Sequence, residues 1–230
     1  MPYVGNDIVD LREPANAGKS RDSRFLKKIL TSAEIEFVQT AENPDATLWS
    51  LWACKETAYK VIKKSCVDAA FLPRQWQIIF NKSESKCTDG KMIIPGKDGV
   101  YIRLFSNSHY VHCVGADCLW ALDKLIWNVD VLPEEKDGEN IDPSLFSRKC
   151  LGQNLAKFFR LNFQDIKITR VKRKGALQPP HVYFEGRKTD IDVSLSHDGR
   201  FVAYAFYPDC AIINKIQKTS VKIRNHKKIL

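Results

Sequence analysis

Two stretches of this 230-residue chain present the same run of patterns, and that repetition constrains the fold more than any single element does. The clearest helix covers residues 46–64, ATLWSLWACKETAYKVIKK, where Leu48, Leu51, Trp52, Ala58, Tyr59 and Ile62 recur at helical spacing. Short strands are predicted after it, at 76–80, 91–94, 100–105 and 110–114. Residues 131–143, VLPEEKDGENIDP, are acidic and turn-rich and read as a linker. Beyond them the order returns: a helix at about 143–160, then strands at 165–173, 181–185, 190–195 and 200–207. Sliding the chain by 91 residues lays Ile102, Leu104, Tyr110 and Val111 on Val193, Leu195, Phe201 and Val202. Sliding it by 97 lays Ala53 to Lys60 on Cys150 to Lys157. The expected fold is therefore α+β, a pseudo-dimer of two similar halves, each a helix packed on an antiparallel sheet. The boundaries expected are 1–130 for the first half, 131–143 for the linker, 144–210 for the second half and 211–230 for a basic tail.

Ahead of the first helix, YVGNDIVDL reads as a strand, and 21–38 as helical with a fresh start at Thr31-Ser32-Ala33-Glu34, a capping-box pattern. Seven cysteines without CxxC pairs read as reduced, mostly buried thiols rather than a zinc site or disulfide scaffold. The opening residues show no basic and apolar leader pattern, and no apolar run approaches the roughly 20 residues of a membrane helix. A cytoplasmic protein with no membrane partner is expected. Thirty-six Lys and Arg against 27 Asp and Glu leave a charge of +9, which calls for an anionic partner. Nucleic acid, an acidic protein and a polyphosphate cofactor all satisfy that.

Three segments carry residues suited to chemistry. Asp7 sits in an apolar strand, either paired and desolvated, with a hard cation as one natural partner, or turned out to solvent. Glu56 and Lys60 are four apart on one helical face among Trp49, Trp52 and Tyr59. They form either an ordinary exposed pair or, partly buried, a group able to hold a metal or take a proton. His197 ends the alternating Val193-Ser194-Leu195-Ser196 run before the turn signal Asp198-Gly199. A Ser-His-Asp triad is excluded there, because adjacent strand residues face opposite ways. Gly18-Lys19-Ser20 lacks the leading glycine of a phosphate loop, Glu13 standing in its place. His109 and His112, three apart in a strand, face apart and are poor co-ligands. Arg170, Lys172, Arg173 and Lys174 have no aromatic platform or recognition helix beside them. They read as a solvated strand face, so no nucleic-acid partner is expected.

Taken together the segments resemble the phosphopantetheinyl transferase superfamily, whose members carry a G-x-D-(I/V) strand, a W-x-x-K-E-x-x-x-K helix and an S-x-S-H turn. Here these stand as Gly5–Ile8, Trp52–Lys60 and Ser194–His197. The order of aspartate and K-E helix, with Arg24-Phe25-Leu26 and Leu30-Thr31-Ser32-Ala33-Glu34 between, is similar to the small holo-acyl-carrier-protein synthases. Residues 146–206 resemble the first half of the larger, surfactin-synthetase-activating type. The matches are Arg148, Leu151-Gly152, Leu155, the Gly175 to Pro179 loop and Ser196-His197-Asp198-Gly199-Arg200-Phe201-Val202. The resemblance thus implies a fused form with its halves in swapped order and one site per monomeric chain. Two departures stand out. Val9 replaces the larger type's second acidic metal ligand, which the small synthases also lack. The G-K-P loop reads Gly175-Ala176-Leu177, with Lys174 as the neighbouring cation.

What the resemblance implies is transfer of 4′-phosphopantetheine from coenzyme A to a serine of an apo acyl or peptidyl carrier protein, releasing 3′,5′-ADP. Mg²⁺ would be held by Asp7 and Glu56, Glu56 would take the serine proton, and Lys60 would neutralise the pyrophosphate. Arg148, Lys149, Ser196 and His197 would bind the rest of coenzyme A, which enters as substrate. Arg21, Arg24 and Lys28 recur at i, i+3 and i+7 and would meet an acidic carrier helix. The alternative reading is a degenerate module that binds carrier protein or coenzyme A without transfer.

Overall fold

A computed structural model describes residues 1–81, 87–134, 141–173 and 176–209. The chain opens with β1 (Val4–Asp10), followed by helices α1 (Ser23–Ile29), α2 (Ser32–Thr40) and α3 (Pro44–Ser65). Next come β2 (Gln77–Phe80), β3 (Cys87–Ile93), β4 (Val100–Ser106) and β5 (Tyr110–Ala116). A one-turn helix α4 (Leu119–Leu122), β6 (Ile126–Val131) and α5 (Pro143–Phe159) lead into the later part. There stand β7 (Ile166–Thr169), β8 (Lys172–Arg173), β9 (Ala176–Leu177), β10 (His181–Phe184), β11 (Arg187–Lys188), β12 (Val193–Asp198) and β13 (Phe201–Phe206). The result is α+β with antiparallel pairing throughout.

Local chemistry explains the helix starts. Asp22 accepts hydrogen bonds from the amides of Arg24 and Phe25, so α1 begins at Ser23 and Arg21 lies outside it, in a 3₁₀ turn. The basic stripe counted from Arg21 therefore does not run along one helix; only Arg24 and Lys28 share α1. The expected capping box at Thr31 is formed, with the Glu34 carboxylate accepting from the Thr31 amide and the Thr31 hydroxyl from the Glu34 amide. At α3 the Asn43 side chain accepts from the Ala46 amide and Pro44 takes the first turn.

The five-stranded sheet runs β1-β5-β4-β3-β2, and α3 covers one face through a core of Ala53, Cys54, Ala58, Val61, Met92, Ile102 and Val111. A three-stranded sheet, β12-β13-β6, and another, β11-β10-β7, follow, with α5 packed on them through Leu151, Leu155, Val193 and Tyr204. β6 lies within the expected first half, yet it hydrogen-bonds to β13.

The slide by 91 residues matches cross-strand register as well as sequence. The pairs Leu104↔Cys113 and Ser106↔Val111 of the β4-β5 hairpin fall on Leu195↔Tyr204 and His197↔Val202 of the β12-β13 hairpin. β1 beside β5 and β6 beside β13 then occupy like positions, setting Asp7, opposite Cys113, against Asn128, opposite Tyr204.

Candidate functional site

β1 is buried along its whole length and presents two unlike faces. Gly5, Asp7 and Val9 face α3, because side chains alternate along a strand. A Cβ on Gly5 would lie 2.2 Å from the Thr57 carbonyl oxygen, so only glycine lets the strand approach the helix this closely. That approach brings the Asp7 carboxylate to α3. Lys60 Nζ donates to Asp7 Oδ1 at 2.8 Å and to the Asn6 carbonyl at 2.8 Å. Asp7 is thus the paired, desolvated aspartate of the two possibilities. The helix-face pair Glu56–Lys60 is not among the described ion pairs; Lys60 is drawn across to β1 instead.

Glu56 has no hydrogen-bond partner among the described residues, and it answers to its surroundings electrostatically. Burial and then the charge of Asp7 push its carboxyl up to about 7, with Lys60 pulling the other way. Asp7 is likewise raised, by burial first and by Asp198, against the charge and hydrogen bond of Lys60. Two carboxylates pushed up by burial and by neighbouring carboxylates therefore lie within reach of one ammonium. The structure brings Asp7, Glu56 and Lys60 together.

Lys55, next to Glu56 in sequence, points elsewhere. Its side chain is fully buried, and its ammonium donates to the Ile29 carbonyl at 3.1 Å, the Pro73 carbonyl at 2.7 Å and Glu34 Oε2 at 2.6 Å. All three of its protons are used, so it ties α3 to the segments beside it.

A cavity of about 230 Å³ opens against Glu56, Lys60, Lys63 and Lys64 of α3 and against Arg170, Pro179 and Ser194 of the later part of the chain. A larger one, about 940 Å³, adjoins it through Lys63, Lys64, Pro179 and Pro180 and is rimmed by Lys172, Arg173 and Lys188. Arg170 is a correction to the sequence reading. It is half-buried, its Nε donates to the Gln178 carbonyl at 3.0 Å, and it lines the smaller cavity rather than a solvated strand face. Lys172 and Arg173 are exposed, while Lys174 and Gly175 lie outside the described residues. The charge of Arg148 on α5 reaches Arg170 and helps lower it, after burial, and Arg148 Nε is buried without a partner among the described residues. Lys149 is exposed.

His197 is exposed, and its imidazole is lowered by desolvation and then by Lys60, with Asp142 and Asp198 opposing. It and Lys60 thus sit within electrostatic reach in one chain, whereas Ser196 does not share that setting. Ser196 is buried, and its hydroxyl accepts from Asn6 Nδ2 at 2.9 Å. The resemblance had Ser196 among the coenzyme ligands; the structure places its hydroxyl in a buried contact with Asn6. Arg21, Arg24 and Lys28 are exposed and stand apart from these groups.

Asp10, missed in the sequence reading, anchors the far end of β1. It takes Arg200 Nε at 2.8 Å and a terminal guanidinium nitrogen at 2.6 Å, together with the amides of Arg12 and Arg200. Gly199, at φ 48°, lets the β12-β13 turn close over it; a Cβ there would meet Asp10 Oδ2 at 2.6 Å. No helix among the described residues is long and apolar enough to cross a membrane.

Residues 3–108 match the model of the family described as the 4′-phosphopantetheinyl transferase superfamily. Two curated relatives, both named holo-[acyl-carrier-protein] synthase, come from Leptospira biflexa serovar Patoc, strains Patoc 1 / Ames and Patoc 1 / ATCC 23582 / Paris. Each is 34% identical over 62 residues, which is 27% of this chain and 49% of the relative. The chain spans about half the length of the curated relatives it matches. The matched segment holds Asp7, Glu56 and Lys60, and ends before α5 and β12.

Proposed function

We propose that this chain, whose residues 3–108 carry the 4′-phosphopantetheinyl transferase superfamily signature, transfers 4′-phosphopantetheine from coenzyme A to a serine of an acidic acyl or peptidyl carrier protein. The observation that carries the reading is the pairing of Asp7 and Glu56 around Lys60 at the mouth of a cation-lined cavity.

Coenzyme A is a polyanion, and the two adjoining cavities offer it Lys63, Lys172, Arg173 and Lys188 around a space within the range of cofactor sites, while Lys64 is already engaged by Asp192 and two backbone carbonyls. Lys60, with Arg170 across the cavity, would meet the pyrophosphate. His197, Arg148 and Lys149 would meet the phosphates of the nucleotide end. The carrier serine oxygen would form a bond to the phosphorus that bears the pantetheine arm. The bond from that phosphorus to the 3′,5′-ADP oxygen would break, and the serine proton would pass to Glu56. A carboxyl held near 7 is half ionised at neutral pH and suited to that role.

Asp7 and Glu56 also fit a divalent cation. Glu56 lacks a side-chain hydrogen-bond partner among the described residues, the charge of Asp7 raises it, and Lys60 pulls both carboxylates the other way. Mg²⁺ commonly takes one or two carboxylates beside substrate phosphate and water. Bound there, it would supply charge neutralisation at the phosphoryl oxygens.

The fused pseudo-dimer belongs to the same reading, with the second half starting near β6 rather than at residue 144. Matching register supports it: Asn128, Gln153 and Ser106 stand where Asp7, Glu56 and His197 stand in the other copy. One competent site per chain follows, in a monomer. The test is incubation with coenzyme A, Mg²⁺ and a panel of apo carriers, followed by weighing the carriers. A carrier heavier by one phosphopantetheine is expected; no gain by any carrier overturns transfer and leaves a non-catalytic binder.

A further inference from the structure

β1 and β12 run side by side without an ordinary backbone ladder between them. Three backbone amides of β1 are instead received by side chains of the β12 segment, each at a separation of 188 residues. Val4 donates to Asp192 Oδ2 at 2.6 Å, Asn6 to Ser194 Oγ at 3.0 Å and Asp10 to Asp198 Oδ2 at 2.8 Å. The constant separation means that the two strands run parallel in fixed register. β1 is the edge strand of the five-stranded sheet, so its outward amides need acceptors once buried. The alternation Asp192, Ser194, Ser196, Asp198 supplies acceptors at every second residue. Ser196 departs from the pattern by receiving the Asn6 side chain, at 2.9 Å. Asn6 is wholly buried and its Oδ1 has no partner among the described residues, so the bond to Ser196 is what holds that amide.

Asn6 precedes Asp7, and Ser196 precedes His197. We infer that the Asn6–Ser196 contact, within this acceptor ladder, is a positioning device: it fixes the register of β1 on β12 and hence the spacing between Asp7 and His197 across the cleft. The inference rests on the proposed transfer reaction for its consequence and on the hydrogen-bond pattern for its geometry. A hydroxyl engaged in this way acts through its neighbours and does not touch substrate.

The test uses the full chain in two measurements. In steady-state transfer, Ser196→Ala should lower kcat about tenfold or more, since misplacing a reacting group by about 1 Å can cost up to about a hundredfold. The KM for coenzyme A should rise by less than kcat falls, since His197 is displaced with the strand while Lys60, Arg148 and Arg170 still meet the phosphates. Asn6→Ala should do the same, the double variant should be no slower than the slower single, and Ser196→Thr, which keeps the hydroxyl, should restore kcat. A Ser196→Ala enzyme with raised KM and unchanged kcat overturns positioning in favour of a ligand role, and one with neither constant changed overturns it outright. Amide exchange reads the ladder without any activity. In Ser194→Ala the Asn6 amide should exchange at least about tenfold faster, while Val4 and Asp10, held by Asp192 and Asp198, keep their protection. Equal loss at all three amides, or none at Asn6, overturns the ladder. A wild type that shows the ladder yet transfers nothing removes the proposed reaction and leaves the register device standing.

Discussion

Two ionic clusters sit on α3 one residue apart. Lys55 meets Glu34 on the side of the helix facing α1 and α2; Glu56 meets Asp7 and Lys60 on the side facing β1 and the later part of the chain. Consecutive helical residues point about 100° apart, so neighbours in sequence need not share surroundings. The first cluster is closed, because the Lys55 ammonium has three acceptors and no access to solvent. The second is left open: a carboxylate without a hydrogen-bond partner among the described residues, a second one beside it and a lysine with 27% of its side chain exposed at a cavity. A buried ammonium whose protons are all engaged holds a fold together, and the Glu34 Oε1 left without a partner among the described residues is shut away from solvent; a carboxylate left short of partners beside a cavity is where a ligand can act.

The sharpest way to break this comparison is to remove one member of each cluster. Lys55→Ala leaves Glu34 buried beside a void and should cost about 3–5 kcal/mol, a large part of an ordinary domain's stability. Lys55→Met with Glu34→Gln removes both charges and should regain much of the loss. Urea unfolding of the two variants checks the expectation; a Lys55→Ala protein as stable as wild type would mean the closed cluster holds nothing together. Asp7→Ala and Glu56→Gln should behave in the opposite manner. Transfer should fall by about 10²- to 10⁴-fold with the melting temperature kept or raised, since a desolvated carboxylate has been taken away. Chelation of divalent metal should abolish transfer by wild type without unfolding it. Full transfer by either variant would unseat the site.

Asp10 offers an intermediate case, a buried carboxylate that is fully answered but by an exposed arginine. Burial alone would raise it, yet the Arg200 guanidinium and the amides of Arg200 and Arg12 outweigh burial and hold it at about 2, against 3.8 ordinarily. A folded-state value below the unfolded one gives stability that is present above about pH 4 and lost as pH falls through 2. Asp10→Asn should therefore cost about 2 kcal/mol at neutral pH, with the gap from wild type closing toward pH 2. A gap that stays constant with pH would show that packing, rather than charge, accounts for it.

Much of this was legible in the sequence where the cause is local. The spacing of Leu48, Leu51, Ala58 and Ile62 announced α3, and Thr31 with Glu34 announced the start of α2. What the sequence did not disclose depends on which distant segments meet. Glu34 reads as a capping residue and is one, yet its Oε2 also receives Lys55, 21 residues on. β6 went unread, although Ile126-Trp127-Asn128-Val129-Asp130-Val131 alternates, because its partner β13 lies far along the chain. Arg170 reads like Lys172 and Arg173, and only tertiary packing separates the half-buried cavity residue from the two exposed ones. Ser194 and Ser196 read as one alternating face of a strand, Ser196 also as a coenzyme ligand, and Asp192 drew no reading. They are acceptors for β1, a role that exists only once the two strands meet.

The smallest effect is expected farthest from the buried site, on α1, where Arg24 and Lys28 are exposed and one turn apart. Neither is held in an ion pair among the described residues, so both are free to meet an acidic carrier helix. Surface charges of this kind act over roughly 10 Å at 0.1 M salt and contribute mainly to encounter. Arg24→Glu reverses one of them, and an exposed contact is worth at most about 1 kcal/mol, so the KM for carrier protein should rise about three- to fivefold at low salt. The rise should shrink at high salt, and kcat should not move, since Glu56 and Asp7 lie on other elements. The KM for coenzyme A should also hold, because the cavities are lined by α3 and by later segments rather than by α1. Steady-state kinetics with each substrate varied at two salt concentrations separates these outcomes. An unchanged KM for the carrier at both would move its docking surface off α1. A change in kcat would mean that the exposed surface and the buried site are coupled, and that the division drawn along α3 does not extend to the helix before it.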